Sequence, residues 1–266
     1  MTPAAAPATY WNAAYRNRLA PPLTPHRDDV ENARKALGCC SGIFLLLGVT
    51  PEYGVLTDRM VAIDRRAAVI SDLWMRQFPE RGAVRANWLQ LPFPQDSFAA
   101  AVGDGCPSAL SYPNQYEPMF DQLKRVLQPR GRLAMRAFVR PTQAETCDFV
   151  QEQAVSANID SFHAFKWRLA MAMAAEAGDA NVAVTDIHAR FNELNPKRGE
   201  LAAATGWNSA AIGTIDAYRD SPIQLSFPTL SELRQTYSPA FREVDLMYGS
   251  YELTESCPLL VLEARK

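Results

Sequence analysis

The sequence predicts an α/β fold built on a doubly wound, mostly parallel sheet, and three observations carry that reading. Short apolar runs alternate with segments of helical period between residues 22 and 140. Those runs are continuous rather than alternating, as strands covered on both faces must be. The alternation stops at Pro141, resumes after Phe227-Pro228, and closes on two runs joined by about ten residues. Such a loop is too short for a parallel crossover and suits an antiparallel pair. The expected sheet has seven strands with an antiparallel last strand, and a helical insertion follows the fifth.

Tyr10 to Leu19 reads as a short amphipathic helix, broken by Pro21-Pro22. Thr24 and Pro25 supply an N-cap and a first-turn proline for a second helix, whose Val30, Ala33 and Leu37 share one face before Gly38 ends it. Strands are expected at Ile43–Leu47, Met60–Ile63, Ala83–Ala86, Phe98–Val102 and Leu133–Phe138. Between them, Val69, Ile70, Leu73 and Trp74 fall at helical spacing, as do Tyr116, Phe120, Leu123 and Leu127. This rhythm is that of βαβ units. Thr229, with Glu232 three residues on, is a capping box for a helix reaching Tyr237. Val244–Tyr248 and Leu259–Glu263 are the last two strands.

The division that follows is an N-terminal helical segment (1–21), an α/β core (22–140 with 229–266) and a helical insertion (141–228). In the insertion, Phe162, Phe165, Leu169 and Met173 form one apolar stripe, with Lys166 and Arg168 read as its solvated side. The insertion carries more acids than bases, so it is no nucleic-acid arm.

Bulk composition narrows the function classes. With 48% hydrophobic and 21% charged residues in 266, the chain can bury a large core. A net charge of −2 offers no general attraction to phosphate backbones, and nucleic acid is not an expected partner. Ile43–Leu47 is too short to span a bilayer, and Met1 to Thr9 lacks the basic start and apolar run of a signal peptide. The five cysteines (Cys39, Cys40, Cys106, Cys147, Cys257) match neither a zinc spacing nor a disulfide framework. A soluble, cytoplasmic protein without a bound metal is expected.

In an open parallel sheet the ligand sits beyond the carboxyl ends of the strands. There the first strand is followed by Gly48-Val49-Thr50 and Glu52, the second by Asp64, the third by Asn87-Trp88, and the fourth by Asp104-Gly105. Gly48 lets backbone turn sharply or lie close to a ligand. An acid at Asp64 can accept hydrogen bonds from both hydroxyls of a ribose.

With these residues in place, the chain resembles the class I S-adenosylmethionine-dependent methyltransferases, which have a Rossmann-like core. Residues 87–102, NWLQLPFPQDSFAAAV, are similar to that family's acid, Leu-Pro-Phe and Ser-Phe stretch entering the fourth strand. Residues 123–133, LKRVLQPRGRL, resemble its helix end and Pro-Gly-Gly turn, and the C-terminal pair resembles its reversed last hairpin. The resemblance covers roughly residues 26–140 and 228–266 and leaves the insertion without a counterpart.

The resemblance implies S-adenosylmethionine as cofactor and S-adenosylhomocysteine as product. It implies that Gly48, Val49 and Thr50 face the methionine part, Asp64 holds the ribose, Arg65 flanks the adenine, and Asn87 and Trp88 meet it. Asp104 and Gly105 then lie near the methionine end and the acceptor. Trp11 and Tyr15 fall on a leading helix that closes over the cofactor in some relatives. The chain departs from the family at Leu46, where an acid is usual, at Thr50 and Glu52, where glycines are, and at Asn87 and Arg130. Without the first acid, the methionine ammonium needs another partner, such as Glu52 or the N-terminal helix.

The expected activity is methyl transfer to a small-molecule acceptor, the insertion acting as a lid. Homo-oligomerisation is left open. The glycine-loop departures motivate a second reading, an inactive scaffold kept for binding or assembly. A nicotinamide dehydrogenase lacks its Gly-x-Gly-x-x-Gly here. His163 and His188 are candidate general bases, since histidine titrates near working pH; His26 is expected to be an exposed residue at a helix start.

Overall fold

The computed structural model describes residues 13–266. Helices α1 (Ala13–Arg16) and α2 (Arg27–Leu37) lead into β1 (Phe44–Leu47), a 3-10 turn (Pro51–Leu56) and β2 (Met60–Asp64). Helix α3 (Ala67–Val69) runs on as a π-helical turn (Ile70–Met75), followed by β3 (Gly82–Arg85), β4 (Phe98–Asp104), α4 (Tyr116–Val126) and β5 (Leu127–Arg136). The insertion holds α5 (Cys147–Val155), α6 (Phe162–Ala177), β6 (Asn181–Ala183), α7 (Val184–Leu194), α8 (Arg198–Thr205), α9 (Ser209–Ile212), a 3-10 turn (Gly213–Tyr218) and β7 (Gln224–Ser226). The chain ends with α10 (Leu230–Tyr237), β8 (Phe241–Met247) and β9 (Leu259–Ala264).

The sheet has seven strands in the order β3-β2-β1-β4-β5-β9-β8. β1 pairs in parallel with both β2 and β4, β9 is antiparallel to β5 and β8, and the expected architecture is met. Because side chains alternate along a strand, β1 feeds two cores. Leu45 and Leu47 pack with Phe120 and Leu123 of α4 and Leu233 of α10 on one face. Phe44 and Leu46 pack with Ala33 and Leu37 of α2 and with Trp74 on the other. All four β1 residues are buried, which explains their unbroken apolar run. Each such leucine contributes about 1.5–3 kcal/mol.

Several boundaries differ from expectation. The cap of α2 is His26, not Thr24: its side chain accepts from Asp28 N–H while Asp29 reaches back to the His26 N–H at 2.8 Å. β5 begins at Leu127 because Pro129-Arg130-Gly131 bulges out of the ladder, with Arg130 at φ +63°, instead of ending the element. β8 starts at Phe241, and its register shifts between Glu243 and Asp245, so Val244 sits at an irregularity and not at a strand start. The insertion is not purely helical, since β6 and β7 form a separate antiparallel ladder.

Phe162, Phe165 and Leu169 are buried in the insertion's own core, joined by Phe191 and Trp207. That core continues into Phe138 and Cys257 of the α/β body. The insertion leaves and returns at one point. The Arg140 N–H donates to Pro228 O at 3.0 Å, and the Arg140 guanidinium donates to Phe227 O at 2.6 Å and to Glu232 Oε1 at 3.1 Å.

Candidate functional site

The order of strands reverses between β2 and β4 on either side of β1, the position where such sheets open a crevice. The residues that follow β1, β2, β3 and β4 all line one cleft there: Gly48-Val49-Thr50, Asp64-Arg65-Arg66, Asn87-Trp88 and Asp104-Gly105-Cys106. Tyr15 and Arg16 of α1 close its edge. Trp11 lies outside the described residues.

Gly48 sits at φ +74°, a left-handed conformation that costs residues with a Cβ about 1–2 kcal/mol. Its N–H donates to Ile63 O at 2.8 Å, and the Trp88 indole N–H donates to the same carbonyl at 3.2 Å. The indole therefore lies across the ends of β1 and β2, close against Gly48, and forms wall as well as any stacking face. Gly105, at φ +60°, has Phe138 so near that a Cβ would come within 2.4 Å of its ring.

Asp64 is 7% exposed. Its Oδ1 accepts the Arg66 N–H at 2.8 Å. Burial raises its pKa against the pull of the Arg66 backbone and guanidinium. Arg65 is exposed, its carbonyl accepting from Arg85 Nε at 3.1 Å. Asn87 Oδ1 accepts the Leu89 N–H at 3.1 Å. One lone pair of that oxygen thus closes its own turn, and the second remains for a ligand.

Asp104 is tied from below. Its Oδ1 accepts from Nε of Arg136, which is fully buried; Arg136 Nη1 is 3.1 Å from the Tyr251 hydroxyl and 3.4 Å from Asp29 Oδ2. Tyr251 donates to Asp29 Oδ1 at 3.1 Å. Burial pushes both carboxylates up. Burial also works against the Arg136 charge, but the Asp104 carboxylate outweighs it and keeps the guanidinium protonated. Arg136 Nη2 and the Tyr53 hydroxyl, both buried, have no hydrogen-bond partner among the described residues. A charge inside the apolar run Leu133–Phe138 was the available signal for this network, because a buried arginine requires buried acids.

Glu52 forms an ion pair with Arg16. Glu52, suggested as a partner for the methionine ammonium, does not line the cleft; its partner Arg16, on the N-terminal helix, does. The candidate bases are not brought there. His163 is buried, its Nε2 3.0 Å from Arg18 O, and burial lowers its pKa to about 4. His188 is 3.2 Å from Asp216 and is bracketed by Asn192. Neither lines the cleft. Lys166 is not solvated but 1% exposed, while Arg168 pairs with Glu145. Beyond Gly105 the cleft continues into an apolar arm lined by Leu19, Leu23, Phe138, Trp167, Ile223 and Leu225. Composition carried no signal for these, since their meeting depends on how the insertion folds back.

Residues 36–135 match the family model described as a methyltransferase domain. No curated protein matches the chain significantly. Among solved structures, the N-methyltransferase NodS of Bradyrhizobium japonicum, in complex with S-adenosylhomocysteine, is 12% identical with a TM-score of 0.51, covering 90% of this chain and 87% of its own. The 1,6-didemethyltoxoflavin-N1-methyltransferase of Burkholderia thailandensis is 12% identical with a TM-score of 0.52, covering 90% of this chain and 78% of its own. A Rhodobacter sphaeroides protein provisionally classed with zinc-dependent alcohol dehydrogenases is 7% identical with a TM-score of 0.57, covering 91% of each chain. At these identities each likeness concerns the fold.

Proposed function

We propose, for a chain whose residues 36–135 belong to the methyltransferase-domain family, that it transfers a methyl group from S-adenosylmethionine to a small, largely apolar acceptor held beneath residues 141–228. One observation carries the reading. The Gly48, Asp64, Asn87 and Asp104 loops converge on a single cleft that runs on, without a break, into an apolar arm. The cofactor fits the residues present. Gly48 offers backbone with no Cβ, Asp64 offers a carboxylate for ribose hydroxyls, and Asn87 with Trp88 offers the adenine its amide and indole. Arg16, paired with Glu52 behind it, is the charged group on the cleft wall at the methionine end.

When bound, the sulfonium supplies a methyl carbon that is already activated, so the chain's task is approach geometry and a free lone pair on the acceptor. Asp104, held by Arg136, fixes the polar floor of the cleft. Phe138 and Trp167, ring centroids 5.3 Å apart and edge to face, form the apolar wall beyond it. Leu19, Leu23 and the insertion's Ile223 and Leu225 complete a surface that would exclude water from the acceptor. The insertion is thus the lid, and residues 22–140 with 229–266 the cofactor body. The scaffold reading suggested by Leu46, Thr50 and Glu52 finds no support, because the cleft keeps its glycine turn and its ribose acid.

Calorimetric titration with S-adenosylhomocysteine tests the proposal. Saturable heat with the wild type, weakened in Asp64→Ala, is expected. No heat and no shift in melting temperature at millimolar ligand would overturn it.

A further inference from the structure

Lys166 lies in the second turn of α6 with its Nζ 3.4 Å from the Tyr15 hydroxyl and 3.4 Å from the Thr214 hydroxyl. Aromatic rings supply the rest of its surroundings, with Nζ 4.9 Å from the Tyr218 centroid, 5.9 Å from Phe162 and 6.0 Å from Tyr15. It makes no ion pair among the described residues, and residues 1–12 contain no Asp or Glu. The titratable and charged groups facing it are Tyr15 and Arg18 from the N-terminal side, Tyr218 from the 3-10 turn, and His163 on its own helix. An ammonium in such a setting is relieved by losing its proton. Burial, with added repulsion from Arg18, brings the Lys166 pKa down to about 7.

The position of this lysine gives the chemistry a direction. Tyr15 and Tyr218 line the cleft, as does Trp167, the next residue along α6. Lys166 therefore stands one layer behind the wall where the polar cleft passes into the apolar arm. Of the lining residues it touches, Tyr15 is the one whose hydroxyl lies within hydrogen-bond distance of Nζ.

We propose that Lys166, acting through the Tyr15 hydroxyl, receives the proton of the methyl acceptor, and that the acceptor is an apolar aromatic compound carrying a phenol-like hydroxyl. The inference rests on the methyltransferase reading and deepens it. An amine with a free lone pair needs no base, whereas a hydroxyl does, and the apolar lining beside this pair suits an aromatic body. The acceptor oxygen's electron pair forms the new bond to the methyl carbon while the carbon–sulfur pair stays on sulfur. The acceptor proton passes to Tyr15 Oη as the Tyr15 proton passes to the neutral Lys166 Nζ. The resulting ammonium gives its proton to solvent once product has left.

Two readouts that do not depend on turnover test the proposal. The chain has five lysines, so carbon NMR of protein labelled at lysine Cε resolves Lys166, assigned by its loss in Lys166→Met. A resonance titrating near neutrality is expected; titration in the ordinary lysine range overturns the proposal. The second is 4-nitrophenol bound in the presence of S-adenosylhomocysteine, one pH unit below the dye's own pKa. The wild type should hold the dye as phenolate, at least ten-fold enriched over solution, with the absorbance of the anion. Lys166→Met, or Lys166→Gln if Met folds poorly, should hold it as neutral phenol. Dye that does not bind, or that ionises equally in wild type and variant, overturns the proposal. Calorimetry with S-adenosylhomocysteine on the same samples separates the two readings. Intact cofactor heat with an unionised dye defeats the proton route alone, and absent heat in the wild type defeats the methyltransferase reading first.

Discussion

Under the proposed function, the Asp64 carboxylate serves fold and ligand together. Its Oδ1 holds the Arg66 N–H, and the proposed function assigns the same carboxylate to a ribose. A hydrogen bond to a charged group contributes about 1.5–3 kcal/mol, so Asp64→Asn should weaken S-adenosylhomocysteine binding by roughly ten-fold or more in calorimetry. Burial raises the Asp64 pKa. Wild-type affinity should therefore hold at neutral pH and fall as the pH drops toward that raised value, while the Asn variant stays flat. Lys166 is the opposite case. Its folded pKa is lowered to about 7, so above that value the unfolded chain binds more protons and stability rises with pH until the ordinary lysine range. Replacing this unpaired cation by Met should stabilise the protein by about 1–4 kcal/mol near pH 6. The gain should vanish at strongly alkaline pH, which melting curves across the range would show. Asp64 was legible from its place after an apolar run. Lys166 was not, because an alternation of Lys and Arg with apolar neighbours looks the same whether α6 borders water or, as here, is buried on nearly every side.

Elements were legible in proportion to how much of their specification is local. The capping box at Thr229 and Glu232 forms as read, with Thr229 Oγ1 accepting the Glu232 N–H at 3.2 Å and Glu232 accepting the Thr229 N–H at 2.6 Å. Thr229→Ala should cost about 1 kcal/mol in denaturant unfolding. It should also raise amide exchange in α10 before the parallel strands respond. The buried strands β1 and β4 were equally plain, their side chains being apolar on both faces. Where the reading failed, partners distant in sequence decided the outcome. His26, whose ring meets that of Tyr251 in a tilted contact with centroids 5.3 Å apart, takes the cap in place of Thr24. The strand β6 exists only because β7, some forty residues on, supplies its ladder.

Over the whole molecule, the buried network around Arg136 joins α2, β4, β5 and the segment before β9 through Asp29, Asp104 and Tyr251. Removing the guanidinium leaves two buried carboxylates unpaired, a change worth about 3–5 kcal/mol. Arg136→Leu should show that loss at neutral pH. Both acids already have raised pKa values, and they protonate more readily without their partner. The deficit relative to wild type should therefore narrow as the pH falls, measured by unfolding at pH 7 and 5.

The meeting of Arg140 with Pro228 and Glu232 has a separate consequence. Two chain ends that touch can be joined by a few residues of linker, so everything between them is, in geometric terms, a cassette. A segment of another shape that fits the same neck could take its place without altering the sheet. Selectivity can then diversify by transplantation, at a rate set by what the neck will accept and not by how fast the sheet can change.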